Sequence, residues 1–149
     1  MTKEERCQKA IAYRAQGLNC AQCVLIAFSD KLGMTDEQCC GLCSGFGGGV
    51  RYGGVCGSIS ACTMVLGMCY PHTLENGAEG KARSASLTKE FQRRFAERFA
   101  YLDCRDLMQN PDLHGTDMVE RLGVTTHCTI LIVSAIELLC DMLEELEKE

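Results

Sequence analysis

Residues 45–54 read GFGGGVRYGG, and Val55, Cys56 and Gly57 follow directly. Six of the ten residues from 45 to 54 are glycine, a density that neither a regular helix nor a strand tolerates. We therefore predict a loop with unusual backbone angles over this stretch. A helix capped by Gly57 or Ser58 should follow. Cys56 should lie at the start of this helix, and Pro71 should end it.

Apolar residues recur with helical spacing on both sides of this loop, and capping residues mark where helices begin. Asn19 and Thr35 are predicted N-caps, and Thr35 with Gln38 forms a capping-box pattern. Helices are predicted over residues 4–16 and 20–32, through 39–43 and 59–66, over 74–102 with a break near Gly77 and Gly80, around 104–107, and from 125 or 126 to about 145. Residues 110–123 are predicted to form a loop.

These patterns together predict an all-α fold. No stretch alternates with period 2 for long enough to form a sheet. A chain of 149 residues suits one domain, so we expect a compact multi-helix single domain over 1–149 with the Gly-rich loop between helices. The acidic tail from about residue 144 should fray, because negative charge at a helix C-terminus opposes the helix dipole.

The charge and the apolar pattern exclude several classes of partner. A net charge of −5 argues against a nucleic-acid partner and against an anionic membrane surface. The longest apolar run, 128–140, is too short and too polar for membrane insertion. The charged start of the chain, residues 1–6, does not look like a signal segment, so the expected location is cytoplasmic.

Twelve cysteines are the outstanding feature of the composition. In a cytoplasmic protein, so many cysteines more often serve metal binding or catalysis than structural bridges. Four of them lie at predicted helix N-termini, where free N–H groups and the helix dipole stabilise a thiolate. These are Cys20, Cys56, Cys104 and Cys128. The other eight lie within helices or near helix ends and are expected to pack only.

Other cysteine patterns fit their usual functions less well. Cys20 and Cys23 form a CxxC at a helix start, as in thioredoxin-like redox pairs, but no strand precedes them. Cys40 and Cys43 form a second CxxC, and the 16 residues between Cys23 and Cys40 would suit a zinc ribbon. Both pairs, however, lie in apolar helical sequence.

The glycine loop has a clearer use. It lacks the lysine of a phosphate-binding Walker loop, but its backbone N–H groups could hold an anion, a thiolate or a cluster sulfide. The glycines expected to approach such a group are Gly47, Gly48, Gly49 and Gly57.

With these residues in place, the sequence resembles the C-GCAxxG-C-C family of redox-active proteins over roughly residues 5–140. The resemblance is carried, in order along the chain, by residues 19–22, 45–49, 56–57, 104–107 and Cys128. It implies a small helical domain whose four signature cysteines correspond to Cys20, Cys56, Cys104 and Cys128. The chain departs from the family pattern at Ser58, where the family has alanine, and at Ala61, where it has glycine.

The resemblance also bears on cofactors. The split-Soret cytochromes look like haem-bearing relatives of this domain and are thought to carry an iron–sulfur site. This chain has no Cys-x-x-Cys-His sequence, so covalent haem is excluded. An iron–sulfur cluster or zinc on the four thiolates stays open.

Three interpretations follow from the sequence. In the first, the four cysteines act in thiol redox chemistry or electron transfer, with Cys20 or Cys56 as the attacking thiolate. In the second, the same four thiolates hold an iron–sulfur cluster or zinc. In the third, they only pack. In the first two the four sulfurs should lie together beside the 45–54 loop. A redox partner protein of unknown identity is expected, and a homodimer is left open.

Overall fold

A computed structural model describes residues 1–111 and 113–149, and within them the all-α fold is confirmed. The only strand-like contact in this part of the chain is an isolated antiparallel bridge between Val55 and Asp103. The helices are α1 (Lys3–Ala15), α2 (Cys20–Ala27), α3 (Ser29–Leu32), α4 (Asp36–Leu42), α5 (Gly57–Cys69), α6 (Gly77–Phe99), α7 (Cys104–Gln109), α8 (Asp117–Arg121) and α9 (His127–Glu147).

Local capping explains where the first helices begin. Asn19 caps α2, and its side chain accepts from the Gln22 backbone N–H while the Gln22 side chain accepts from the Asn19 N–H. Thr35 and Gln38 form the same reciprocal pair at the start of α4, as predicted. Each box satisfies backbone donors that would otherwise have no partner.

Helix α2 forms the centre of the molecule. Six of its eight residues are buried, so it is apolar all round, as expected of a helix enclosed by others. It packs against α1, α4, α5 and α9. Helix α6 covers one side through its predicted stripe of buried residues, Leu87, Phe91, Phe95 and Phe99. None of the helices in the described residues is long and apolar enough to cross a membrane.

The predicted helix over 20–32 is interrupted at Phe28. The Ala27 carbonyl accepts a hydrogen bond from Arg6 Nη1 at 2.8 Å, and the Arg6 guanidinium lies over the Phe28 ring at 4.8 Å. Phe28 itself has non-helical angles, φ −114° and ψ 15°. The break is therefore imposed by a residue from α1.

Three further boundaries differ from the prediction. Helix α6 begins at Gly77 rather than residue 74, and it passes Gly80 without a break. Cys56, not Gly57 or Ser58, occupies the N-cap position of α5. The predicted 110–123 loop, which includes one residue outside those described, contains α8, because Met118 and Val119 bury an apolar face.

The C-terminal tail continues the last helix. Helix α9 runs through Glu147, and ion pairs join Glu145 to Arg94 at 2.5 Å and Glu147 to Lys31 at 3.5 Å. These pairs hold the tail against α6 and the region of α3. Its fraying stays a prediction.

The close approach of α5 to α2 at Gly57 gives a first testable prediction. A Cβ at Gly57 would lie 2.9 Å from the Phe46 carbonyl oxygen and 3.1 Å from the Ala21 nitrogen, both backbone atoms. Gly57→Ala should therefore lower the free energy of unfolding by about 1–3 kcal/mol, as overpacking does. Urea denaturation of the purified variant would measure this loss.

The matched control lies on the same helix. A Cβ at Gly67 would meet nothing within 4 Å, so Gly67→Ala should raise the free energy of unfolding by about 0.5–1 kcal/mol through helix propensity alone. Equal effects of the two substitutions would show that α5 does not pack on α2 at Gly57 as described.

Candidate functional site

The four cysteines singled out from the sequence line one cavity of about 360 Å³. Each comes from a different part of the chain: Cys20 begins α2, Cys56 precedes α5, Cys104 begins α7 and Cys128 is the second residue of α9. Three of the four predicted glycines, Gly47, Gly48 and Gly57, also line it. Gly49 does not, because it is buried behind them against the backbone of Gly54. The remaining lining residues are Arg14, Asn19, Arg51, Leu107, Met108 and Leu131.

The bridge between Val55 and Asp103 brings Cys56 and Cys104 to the same wall of the cavity. The Cys56 backbone N–H donates to the Leu102 carbonyl at 2.9 Å, and the Cys104 N–H donates to the Gly54 carbonyl at 2.6 Å. Residues 54–56 and 102–104 are thus paired by backbone hydrogen bonds that do not depend on side-chain identity. This pairing joins the glycine-rich stretch to the start of α7.

The glycine-rich stretch forms one left-handed helical turn at the cavity. Gly48 (φ 61°, ψ 31°), Gly49 (φ 63°), Val50 (φ 59°, ψ 38°) and Arg51 (φ 56°, ψ 20°) take left-handed angles in succession. The predicted unusual backbone angles are therefore present, but they form a regular left-handed turn rather than an irregular loop. Such a turn costs about 1–2 kcal/mol for each non-glycine residue.

Two sets of contacts hold this turn in place. The Gly54 N–H donates to the Gly49 carbonyl at 3.1 Å and closes the turn. Arg105, the second residue of α7, donates to the Gly53 carbonyl at 3.1 Å and to the Tyr52 carbonyl at 3.2 Å. At its other end, Gly47 approaches Asn19 so closely that a Cβ would lie 2.8 Å from the Asn19 Cβ.

Cys20 and Cys128 lie together in the cavity at the starts of α2 and α9. The interaction between their two sulfurs lowers the pKa of Cys128 from an ordinary 9.0 to about 6. Burial opposes the shift, while the charges of Arg14 and His127 support it. The same interaction, together with burial, raises the pKa of Cys20, and the Cys128 sulfur also lies 3.8 Å from the Met108 sulfur. Near neutral pH the Cys20 and Cys128 sulfurs therefore share one proton.

Burial raises the pKa of the other two cavity cysteines. At Cys56 the backbone N–H groups of Ser58 and Ile59 and the Ser58 hydroxyl act against burial without overcoming it. The Ser58 hydroxyl is fully buried, and among the described residues no hydrogen bond satisfies it. At Cys104, burial and the charge of Cys128 both raise the pKa.

These pKa directions differ from the sequence-based expectation for the nucleophile. A position at a helix start was expected to stabilise a thiolate at all four cysteines, and Cys20 or Cys56 was expected to attack. The interaction with Cys128 and burial raise the pKa of Cys20, and burial raises those of Cys56 and Cys104. Only Cys128 among the four has a lowered pKa, which favours it as the thiolate.

The eight remaining cysteines lie outside the cavity lining. Burial raises the pKa of Cys7 to about 12 and those of Cys23, Cys43 and Cys140 to about 11. Cys62, fully buried, donates to the Ala135 carbonyl at 3.7 Å. None of the twelve cysteines forms a disulfide.

The metal alternative can be compared with this arrangement. Across residues 1–111 and 113–149, no three His, Cys, Asp or Glu side chains are grouped so that they could hold a metal ion. The four thiols supply the right donor atoms for zinc or an iron–sulfur cluster but are not positioned as a ligand set.

Two charged lining residues were missed in the sequence. Arg14 lies on α1, at a position that the sequence pattern does not distinguish from any solvent-facing position of a helix. No local sequence signal therefore identifies it as a cavity residue. Arg51 offered a signal, since it is the single charge within the glycine-rich stretch. His127, to which no role was given, donates from Nε2 to the Leu107 carbonyl at 2.6 Å and so links α9 to α7.

Comparison with known proteins identifies a family. A family model described as "Putative redox-active protein (C_GCAxxG_C_C)" matches residues 18–142, a range that contains all four cavity cysteines. No curated protein and no solved structure matched the chain.

Proposed function

Because the chain belongs to the C_GCAxxG_C_C family, we propose that it is a thiol redox protein in which Cys20 and Cys128 cycle between dithiol and disulfide. The observation that carries this proposal is that Cys20 and Cys128 line one cavity and interact strongly enough to share a proton between their sulfurs. The pair supplies a nucleophilic thiolate and a second thiol beside it, the two components that disulfide exchange requires.

The exchange proceeds in two balanced steps. The Cys128 thiolate attacks one sulfur of a substrate disulfide, forms a mixed disulfide and releases the other half as a thiolate. The Cys20 sulfur then attacks Cys128, and its proton passes to the second departing thiolate. The substrate disulfide gains two electrons, while Cys20 and Cys128 become a disulfide. A reducing partner protein, which supplies two electrons through its own thiols, restores the pair.

The cavity walls assist these steps. Arg14 and His127 stabilise the negative charge on Cys128, and the half-buried cavity limits access of water to the mixed disulfide. Cys56 and Cys104, which also line the cavity, keep their protons because burial raises their pKa values. A cytoplasmic location suits this proposal, because a reducing compartment keeps the other thiols reduced.

Mild oxidation tests the pairing. The reduced protein should lose two titratable thiols on treatment with a single equivalent of diamide, and dithiothreitol should restore them. Mass spectrometry of unreduced peptides should find Cys20 joined to Cys128. Cys128→Ser should abolish this product, whereas Cys62→Ala should keep it and lose only about 1 kcal/mol of packing stability.

Two outcomes would overturn the proposal. A disulfide formed by other cysteines, such as Cys56 with Cys104, would show that the pair is wrongly assigned. Stoichiometric zinc or iron in protein purified without oxygen, lost in Cys56→Ser, would show instead that the four thiolates hold a metal.

A further inference from the structure

The cavity of the four cysteines has a charge opposite to that of the protein as a whole. The chain carries a net charge of −5, yet the described residues that line the cavity include two arginines and neither Asp nor Glu. Arg14 is half-buried on α1 and is held by a hydrogen bond from Nη1 to the Leu18 carbonyl at 2.9 Å. Within the part of the chain that the structure describes, no carboxylate forms an ion pair with either arginine.

Arg51 is placed at the cavity by the strained left-handed turn. Val50 and Arg51 both have positive φ, although neither is glycine, and Val50 is β-branched. Strain of this kind persists where the surrounding structure over-determines it, and it concentrates at functional sites. The turn puts a guanidinium with no hydrogen bond or ion pair among the described residues on the cavity lining.

From this charge distribution, and resting on the proposed function, we infer that the cavity accepts a low-molecular-weight disulfide that carries carboxylates. A volume of about 360 Å³ admits a small molecule. Guanidinium groups pair with carboxylates through two parallel hydrogen bonds, which fixes a ligand as well as attracting it. The carboxylates bind at Arg51 and Arg14 while the disulfide bond lies against Cys128, which attacks it as in the exchange above.

The inference can be tested with two aromatic disulfides of similar size. Dithiobis-nitrobenzoate carries two carboxylates, and dithiodipyridine is neutral. Both release a coloured thiol, so the Cys128-dependent rate constant with each can be obtained by subtracting the rate of Cys128→Ser. The ratio of the two rate constants, anionic over neutral, measures the preference of the cavity for charge.

Arg51→Gln should lower this ratio about fivefold, the effect of one exposed charge pair. The rate with dithiodipyridine should change much less than the rate with dithiobis-nitrobenzoate, because a neutral disulfide forms no ion pair with a guanidinium. Arg51→Lys should keep most of the ratio, and added salt should weaken it in the wild-type protein. Arg121→Gln, at an exposed arginine paired with Glu4, is the control and should leave the ratio as it is.

An unchanged ratio in Arg51→Gln, or an equal fall in Arg121→Gln, would overturn the inference. Failure of the proposed function would look different. Without closure of the Cys20–Cys128 disulfide, each reaction event would release one coloured thiol rather than two, whatever the ratio of rates.

Discussion

In Cys20→Ala, the pH at which Cys128 is half ionised should rise from about 6 toward the ordinary cysteine value of 9.0. The interaction with the Cys20 thiol is the largest cause of the low pKa of Cys128, and alanine removes it because it has no group that can donate a proton. The wild-type thiolate should therefore persist until the pH falls through about 6. As the pH is lowered, the variant should lose its thiolate at a higher pH than the wild type, between about 6 and 9.0.

The effect on reactivity should be large near pH 6. A full shift to 9.0 removes nearly all of the thiolate at that pH, and the higher nucleophilicity of the more basic thiolate offsets part of the loss. The net expectation is a fall on the order of 20-fold in the rate of disulfide exchange at pH 6. The ultraviolet absorbance of the thiolate, followed against pH, gives the midpoint independently of rate.

Cys20→Ser is the matched control for this experiment, because a hydroxyl still donates to Cys128. Its midpoint should lie between those of the wild type and Cys20→Ala. The other groups that face Cys128 are Arg14 on α1, His127 on α9 and Cys104 on α7, and they are the same in all three proteins. A midpoint that stays near 6 in Cys20→Ala would assign the low pKa to Arg14 and His127 instead.

The fold class could be predicted because its signals are local. The reciprocal caps of Asn19 with Gln22 and of Thr35 with Gln38 each lie within four residues of sequence, and the structure contains both. The break at Phe28 could not be predicted in this way. It depends on Arg6, which is 21 residues from the Ala27 carbonyl that it binds.

Which cysteines line the cavity could be predicted from the sequence, but which of their sulfurs is ionised could not. The four cysteines share a position near helix starts, and both that position and the family resemblance single them out. Which sulfur is ionised depends on how deeply each is buried and on which helix ends meet. Cys20 and Cys128 are 108 positions apart in the sequence, so no local pattern reveals that their sulfurs interact.

The left-handed turn could be predicted only in part. Its glycine content predicts unusual angles, but Val50 argues against a left-handed conformation, since β-branched residues avoid it. The turn exists because neighbouring segments hold it, through Arg105 and through the contact between Gly49 and Gly54. We therefore expect this turn to depend strongly on the absence of a side chain at Gly49.

Gly49→Ala should be among the most destabilising single substitutions in the chain. Gly49 and Gly33 have the same φ of 63°, so alanine suffers the same left-handed penalty of about 1–2 kcal/mol at either position. At Gly33 a Cβ meets nothing within 4 Å, whereas at Gly49 it would clash with the backbone carbonyl and nitrogen of Gly54. Overpacking against backbone adds about 1–3 kcal/mol to the loss at Gly49.

Urea denaturation of both variants separates the two contributions. Gly33→Ala measures the backbone penalty alone, and the further loss in Gly49→Ala measures the clash, because the two positions share their φ. Gly49→Ala should also slow the reaction of Cys128 with dithiobis-nitrobenzoate, since a displaced turn moves Arg51 from the cavity, while Gly33→Ala should not. If the two variants were equally stable and equally reactive, the packing of Gly49 against Gly54 would not be what holds Arg51 at the cavity.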